Sequence, residues 1–287
     1  MAQLIQMRQR IKAIETIKKI THAMRLISMS THSRIRSKMP RLKDYSNEIS
    51  NIFNKVRAEN PDWTNPIVFP QGITEENRLI ILISSQKGLC GTFNTNLFKE
   101  FEKQVSEEEL KQTKIIAVGK KAVDFIAKKE TKFVIKNFQE LTIRNFNTIA
   151  QEVVEEIVIS SPPYSSVRIF SNELRSFFLQ LPRFIDLIPL KQETLGEEKA
   201  VEHKTSEDLI WYQNPKEFLD SLVPQYIGAG INAALLESLF AEQAARFISM
   251  DTANRNAKTL LEETKLRYNK LRQAKITKEL TELAGNF

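Results

Sequence analysis

Near the C-terminus the positions Phe247, Met250, Asn254, Ala257, Leu261, Thr264, Tyr268 and Leu271 advance by alternating steps of three and four. That spacing is the seam of a left-handed coiled coil. From 231 to 284 the chain contains no Gly or Pro, so the pattern predicts one long helix, which at 1.5 Å per residue would span roughly 80 Å. Asn254, Ala257 and Thr264 bury little apolar area, so the seam holds a partner helix only weakly and the helix reads as a shaft.

The other end of the chain supplies its mate. Residues 1–39 also lack Gly and Pro, and Ile5, Ile11, Ile14, Ile17, Met24 and Ile27 trace an apolar stripe,. Long helices gain most of their stability from packing, so the two ends are expected to lie together antiparallel. Pro40 lacks an amide donor and is expected to bend or end the first helix. Tyr45, Ile49, Ile52, Phe53 and Val56 carry a helical pattern beyond it.

Between the ends the period changes. Residues 79–83 form a continuous apolar run, as in a strand buried on both faces,. Further strands are expected at 115–118, 132–135 and 167–171, alternating with helices at 94–104, 120–129 and 143–159. This alternation predicts an α/β fold with an open, Rossmann-like, mostly parallel sheet. Stretches 177–181 and 185–190 read as added strands interrupted by Pro182, 192–208 as a surface loop, and 215–226 as helix. The expected organisation is a first shaft helix over 1–58, a globular α/β domain over 77–212 and a second shaft helix over 213–287.

Composition narrows the function classes. No stretch approaches 18 uninterrupted apolar residues, so no transmembrane helix is expected,. The Arg-bearing, acid-poor start overlaps in composition with transit peptides, but its residues complete the shaft and read as mature structure. Cys90 is the single cysteine, which excludes an internal disulfide and fits a reducing, cytoplasmic setting,. The net charge of +7 is concentrated at one end: residues 1–43 hold eleven Lys or Arg and one acid, Glu15. Such a block invites nucleic acid or an anionic surface. No aromatic residue precedes Tyr45 to stack on bases, so an acidic protein groove or a solvated face is the better reading,.

Signatures of catalysis are sparse. There is no G-x-x-x-x-G-K-[ST] loop, and Gly88 and Gly91 have the wrong spacing for a dinucleotide fingerprint,. Gly228, Gly230 and Ala233 do match G-x-G-x-x-A, with Asp251 downstream, but a helix rather than a strand is expected before them, so the match is a decoy. His22, His32 and His203 are too scattered for a metal site. Cys90 reads as a small buried thiol rather than a nucleophile. Neither cofactor nor metal is called for.

Several segments resemble the gamma subunit family of the F-type rotary ATP synthase. They are ALLES at 234–238, EQAARFISM at 242–250, YNK at 268–270 and RQAKITKEL at 272–280. Ile11 with Lys12, KITHAM at 19–24, GLCG at 88–91 and NTNLF at 94–98 agree too. The resemblance implies a noncatalytic rotor subunit coupling transmembrane proton flow to ATP synthesis or hydrolysis. Its terminal helices would form a coiled coil inside a ring of three alpha and three beta subunits. Its middle domain would stand on the membrane rotor ring beside the epsilon subunit, peripheral to the cytoplasmic face of a bacterial inner membrane.

By position, the resemblance assigns Arg272, Gln273 and Thr277 to the catch loops of the catalytic ring and Met24 and Arg25 to its moving lever. Lys265, Lys270, Lys275 and Lys278 add cations toward acidic loops, and Lys87, Gly88, Cys90 and Gly91 form a loop of the globular foot on the rotor-ring and epsilon side. Gln86, Lys87, Thr92 and Phe93 stand where the family commonly has Asp, Arg, Gly and Leu, and 28–33 is polar where relatives are alanine-rich. A paralogous shaft from an ATPase not coupled to protons, and a basic coiled-coil protein binding nucleic acid, are the alternative readings.

Overall fold

A computed structural model of the chain describes residues 2–70, 77–129, 131, 133–190 and 214–284. Two helices dominate it: α1, Ala2–Glu59, and α6, Pro215–Ala284. Between them lie β1 (Arg78–Ile83), α2 (Phe93–Gln104), α3 (Glu107–Gln112), β2 (Lys114–Val118) and α4 (Lys120–Ala127). There follow β3 (Val134–Phe138), α5 (Phe146–Ile159), β4 (Ser166–Ser176) and β5 (Leu179–Ile188). The strands form one sheet in the order β3-β2-β1-β4-β5. β1 pairs parallel with β2 and β4, β2 pairs parallel with β3, and β5 closes the edge antiparallel to β4. The expected α/β class, with a mostly parallel sheet between two long helices, is the one observed.

Strand periodicity divides the core in two. Leu79, Ile81 and Ile83 of β1 face α5, α6 and the end of α1, joining Val153, Ile227, Leu235 and Phe53. Ile80 and Leu82 point the other way, onto Leu97 and Phe101 of α2, Leu110 of α3 and Ile126 of α4. Each fully buried aliphatic side chain contributes about 1.5–3 kcal/mol, so the first layer anchors the shaft helices to the sheet and the second fixes α2, α3 and α4 on its other face,. Asp220 of α6 adds a polar tie, accepting from Trp63 Nε1 at 3.1 Å and Asn65 Nδ2 at 2.8 Å.

Several expectations are corrected. α1 runs through Pro40 without ending; the proline and Arg36, whose carbonyl it leaves without an amide partner, both face solvent, where water serves instead,. α6 likewise includes Pro224, Gly228 and Gly230, so the separate helix expected at 215–226 is its first part. Gly230 admits a close neighbour, since a Cβ there would lie 3.0 Å from Leu187 Cδ1, whereas one on Gly228 would make ordinary contact with Val154 Cγ2 at 3.4 Å. β5 passes through Pro182 unbroken, as an edge strand allows,, and β4 extends to Ser176 rather than stopping at Ser171. β3 begins at Val134 and α5 at Phe146, later than read, and α3 was not anticipated. The loop expected at 192–208 lies outside the described residues.

Candidate functional site

The seam of the coil is the first candidate surface. On α6 every position of the expected 3-4 series from Phe247 to Leu271 is buried or half-buried. On α1 the seam is different from the apolar stripe. Leu4, Met7, Ile11, Ile14, Lys18, Thr21, Arg25, Ser28, His32, Ile35, Met39 and Leu42 face inward in an unbroken 3-4 series. Ile5, Ile17 and Ile27 face solvent, Ile27 at 64% exposure. The stripe read from the sequence mixed two faces, because α1 carries apolar residues on both and polar ones in the middle of its seam.

Polar contacts fix the pairing of the two helices. Arg8 Nη2 donates to Tyr268 Oη at 3.2 Å, Lys265 Nζ lies 2.8 Å from Glu15, the Thr21 hydroxyl donates to Asn254 Oδ1 at 3.5 Å, and Arg25 Nη1 lies 2.7 Å from Asp251. Lys265 holds the Glu15 carboxyl below its ordinary range by hydrogen bond and charge. Arg25 and Lys265 therefore engage the partner helix. Met24 is half-buried beside the seam, while Lys270, Arg272, Gln273, Thr277 and Lys278 are exposed. Lys275 pairs with Glu279 and Lys278 with Glu282, one turn on. From Ile276 to Ala284 every residue is exposed, so this end of α6 stands clear of other elements.

The second candidate is the loop after β1. It leaves the carboxyl end of β1 between β2 and β4, where open α/β sheets place ligands. Protein groups occupy that position. Ser84 Oγ accepts from Ala122 N–H at 2.6 Å at the start of α4. Gly119, at φ +90°, passes so close that a Cβ would lie 2.3 Å from Ser84 O. Asn94 knits the loop: its Oδ1 accepts from Ser85 N–H at 3.1 Å, and its Nδ2 donates to Ser85 Oγ at 2.7 Å and Cys90 Sγ at 3.2 Å.

This loop grips the shaft. Arg246 of α6 donates to Lys87 O at 3.0 Å, to Gly88 O at 3.3 Å and to the Glu242 carboxylate. Glu242 is buried and also accepts from the Gln86 backbone; burial pushes its carboxyl up, against the pull of Arg246. Cys90 and Phe93 pack on Ala241 and Ala245, and burial pushes the Cys90 thiol up. Leu89, at φ +64°, is turned outward at 58% exposure, and Lys87 is exposed. The structure thus brings Lys87, Gly88 and Cys90 together with Glu242 and Arg246, a pair the sequence reading did not single out. Its signal was present: an acid and an arginine four apart amid small apolar residues of α6.

Among the described residues no cluster of His, Cys, Asp or Glu is placed to hold a metal ion, and no helix is long and apolar enough to cross a membrane. A long antiparallel coil mounted on a five-stranded sheet defines a shaft-type protein. Residues 3–287 match the sequence profile of a family described as ATP synthase, and the chain belongs to that family. It is 30% identical to the ATP synthase gamma chain of Chlorobium limicola, over 99% of this chain and 98% of that one. It is 29% identical to that of Chloroherpeton thalassium, over 99% and 97%. Among solved structures it resembles chains from the Euglena gracilis mitochondrial ATP synthase. One, from the OSCP/F1/c-ring in rotational state 3, has a TM-score of 0.69 at 18% identity, covering 99% of this chain and 93% of that one. Another, from the rotor in rotational state 1, has a TM-score of 0.66 at 17% identity, covering 96% and 99%.

Proposed function

We propose that this chain is the central-stalk rotor subunit of an F-type ATP synthase, a noncatalytic axle that couples transmembrane proton flow to ATP synthesis or hydrolysis. The coil turns within a ring of three alpha and three beta subunits. The sheet domain stands on the membrane rotor ring beside epsilon, at the cytoplasmic face of a bacterial inner membrane. Met24, Arg25, Lys265, Lys270, Arg272, Gln273, Lys275, Thr277 and Lys278 lie along the part of the shaft that meets the ring, and the Lys87–Gly91 loop belongs to the foot.

One observation carries this reading: the far half of the coil exposes large apolar residues on faces its own seam does not use. Ile17, Ile20, Leu26 and Ile27 of α1 and Ile276, Leu280 and Leu283 of α6 are all open to solvent in the isolated chain. A solvated helix would be polar there, whereas a sleeve of other subunits buries such faces. The basic side chains interleaved with them guide a sliding surface without trapping it, since exposed ion pairs contribute under about 1 kcal/mol each. An affinity pull-down of the tagged full chain from native membranes is expected to recover alpha and beta chains at three each per copy. Recovery of the chain without them overturns the reading, as does ATP hydrolysis by the purified chain alone.

A further inference from the structure

His32 occupies a seam position of α1 where three elements meet. Its ring stacks on Phe240 of α6, centroid to centroid 4.2 Å with planes 18° apart. Phe177, in the turn between β4 and β5, meets the same ring edge-on at 5.2 Å and reaches Phe247 of α6 at 5.4 Å. Beyond it Phe178 projects into solvent, and Gln180 Nε2 donates to Phe177 O at 2.7 Å to close the turn. The imidazole is therefore a pin between the shaft and the tip of the hairpin.

We propose that this pin is acid-sensitive: protonation of His32 loosens the tip of the β4–β5 hairpin from the shaft. The residue is 6% exposed, and its Nε2 is buried without a hydrogen-bond partner among the described residues. A neutral ring tolerates this, but an imidazolium would bury a charged donor with nothing to accept it.

The neighbouring charges offer no relief. On its own helix Arg36, one turn on, repels a cation. On α6, Glu237 lies 4.0 Å from Arg183, and Glu242 is taken up by Arg246 on the loop side. On the hairpin, Glu173 is held by Arg175 and Arg183. Attraction of an imidazolium to the Phe240 face is weaker than the hydration it surrenders on burial. Burial first, and Arg36 second, accordingly hold the imidazole below the ordinary value of 6.5. The stability it contributes is complete above that value and is lost as pH falls below it toward the depressed folded value.

The test is a proton NMR titration of the full chain, with His32 assigned by the His32→Phe variant. It is paired with hydrogen exchange of the hairpin amides at about pH 7.5 and about pH 5.5, corrected for intrinsic rates. The expected result is a His32 midpoint below 6.5 and hairpin protection that falls about threefold or more on acidification,. In His32→Phe, which keeps the stacking and removes the proton site, that fall disappears. A His32 midpoint at or above 6.5, or undiminished acid-loosening in the variant, overturns the proposal. Should the variant not fold, the wild-type midpoint and its coincidence with the loss of hairpin protection decide the matter.

Discussion

Arg25 Nη1 lies 2.7 Å from Asp251 Oδ1, a contact that joins residues 226 positions apart in the chain. The second Asp251 oxygen takes Arg255 at 3.1 Å. Arg25 stands where a coiled coil ordinarily places an apolar knob, and a one-turn slip of α1 against α6 would separate it from its acid. The pair therefore specifies register, as polar residues at seam positions do in other coils.

Breaking that pair costs less than its central place implies, because both side chains keep partial exposure, 27% and 24%. Asp251→Ala is expected to destabilise the chain by about 1 kcal/mol, with a coupling energy to Arg25→Ala of similar size. A double-mutant cycle by urea denaturation measures both values.

The buried pair behind the loop is more demanding. Arg246→Ala would leave the Glu242 carboxylate uncompensated and would release the Lys87 and Gly88 carbonyls, at an expected cost of about 3–5 kcal/mol,. Replacing both residues by apolar ones of similar volume is expected to recover much of that loss, as thermal unfolding of the single and double variants would reveal.

Glycine substitutions separate backbone strain from helix propensity. Gly119→Ala places a Cβ 2.3 Å from Ser84 O at a φ of +90°, and is expected to disrupt the β2–α4 turn and leave the chain largely unfolded by circular dichroism,. Gly228→Ala meets Val154 only at 3.4 Å inside a helix, so it is expected to stabilise by about 0.5 kcal/mol,.

Cys90 gives a chemical readout of the same loop. Because burial raises its thiol pKa, little thiolate is present near neutral pH, and Asn94 and Ser85 cover the sulfur,. Its reaction with a thiol-specific disulfide reagent is expected to be at least about tenfold slower in the folded chain than in urea, and to accelerate in Asn94→Ala.

Among the described residues, truncation before Ile276 removes only the exposed end of α6. The melting temperature is expected to stay within about 2 °C of the parent, while ATP-driven proton pumping by the reassembled enzyme falls. A large drop in melting temperature would show that this end is built into the fold.

Much of the architecture was legible from period alone. The 3-4 spacing from Phe247 to Leu271 located the α6 seam, every position of it buried or half-buried, because Leu260 and Leu266, exposed elsewhere on the helix, do not continue a series of their own. On α1 the same reasoning failed, since Ile17 and Ile27 are as apolar as Ile11 and Ile14 and nothing local says which pair faces the partner. Pro40 and Pro182 were overread as breaks, because solvent exposure and edge position decide whether a missing amide matters,. In the loop, Cys90 was correctly read as buried. Its anchor Arg246 escaped notice because their proximity is created by the fold, 156 positions from one to the other.

Because the whole sheet domain lies between α1 and α6 in the sequence, α1 cannot find its mate until that domain has been synthesised. At the usual elongation rates, on the order of 10–45 s separate the emergence of Arg25 from that of Asp251,. Throughout that interval the α1 segment, bearing isoleucines on two sides, has no mate to pack against. The coil is thus closed only after every strand of the sheet has been made.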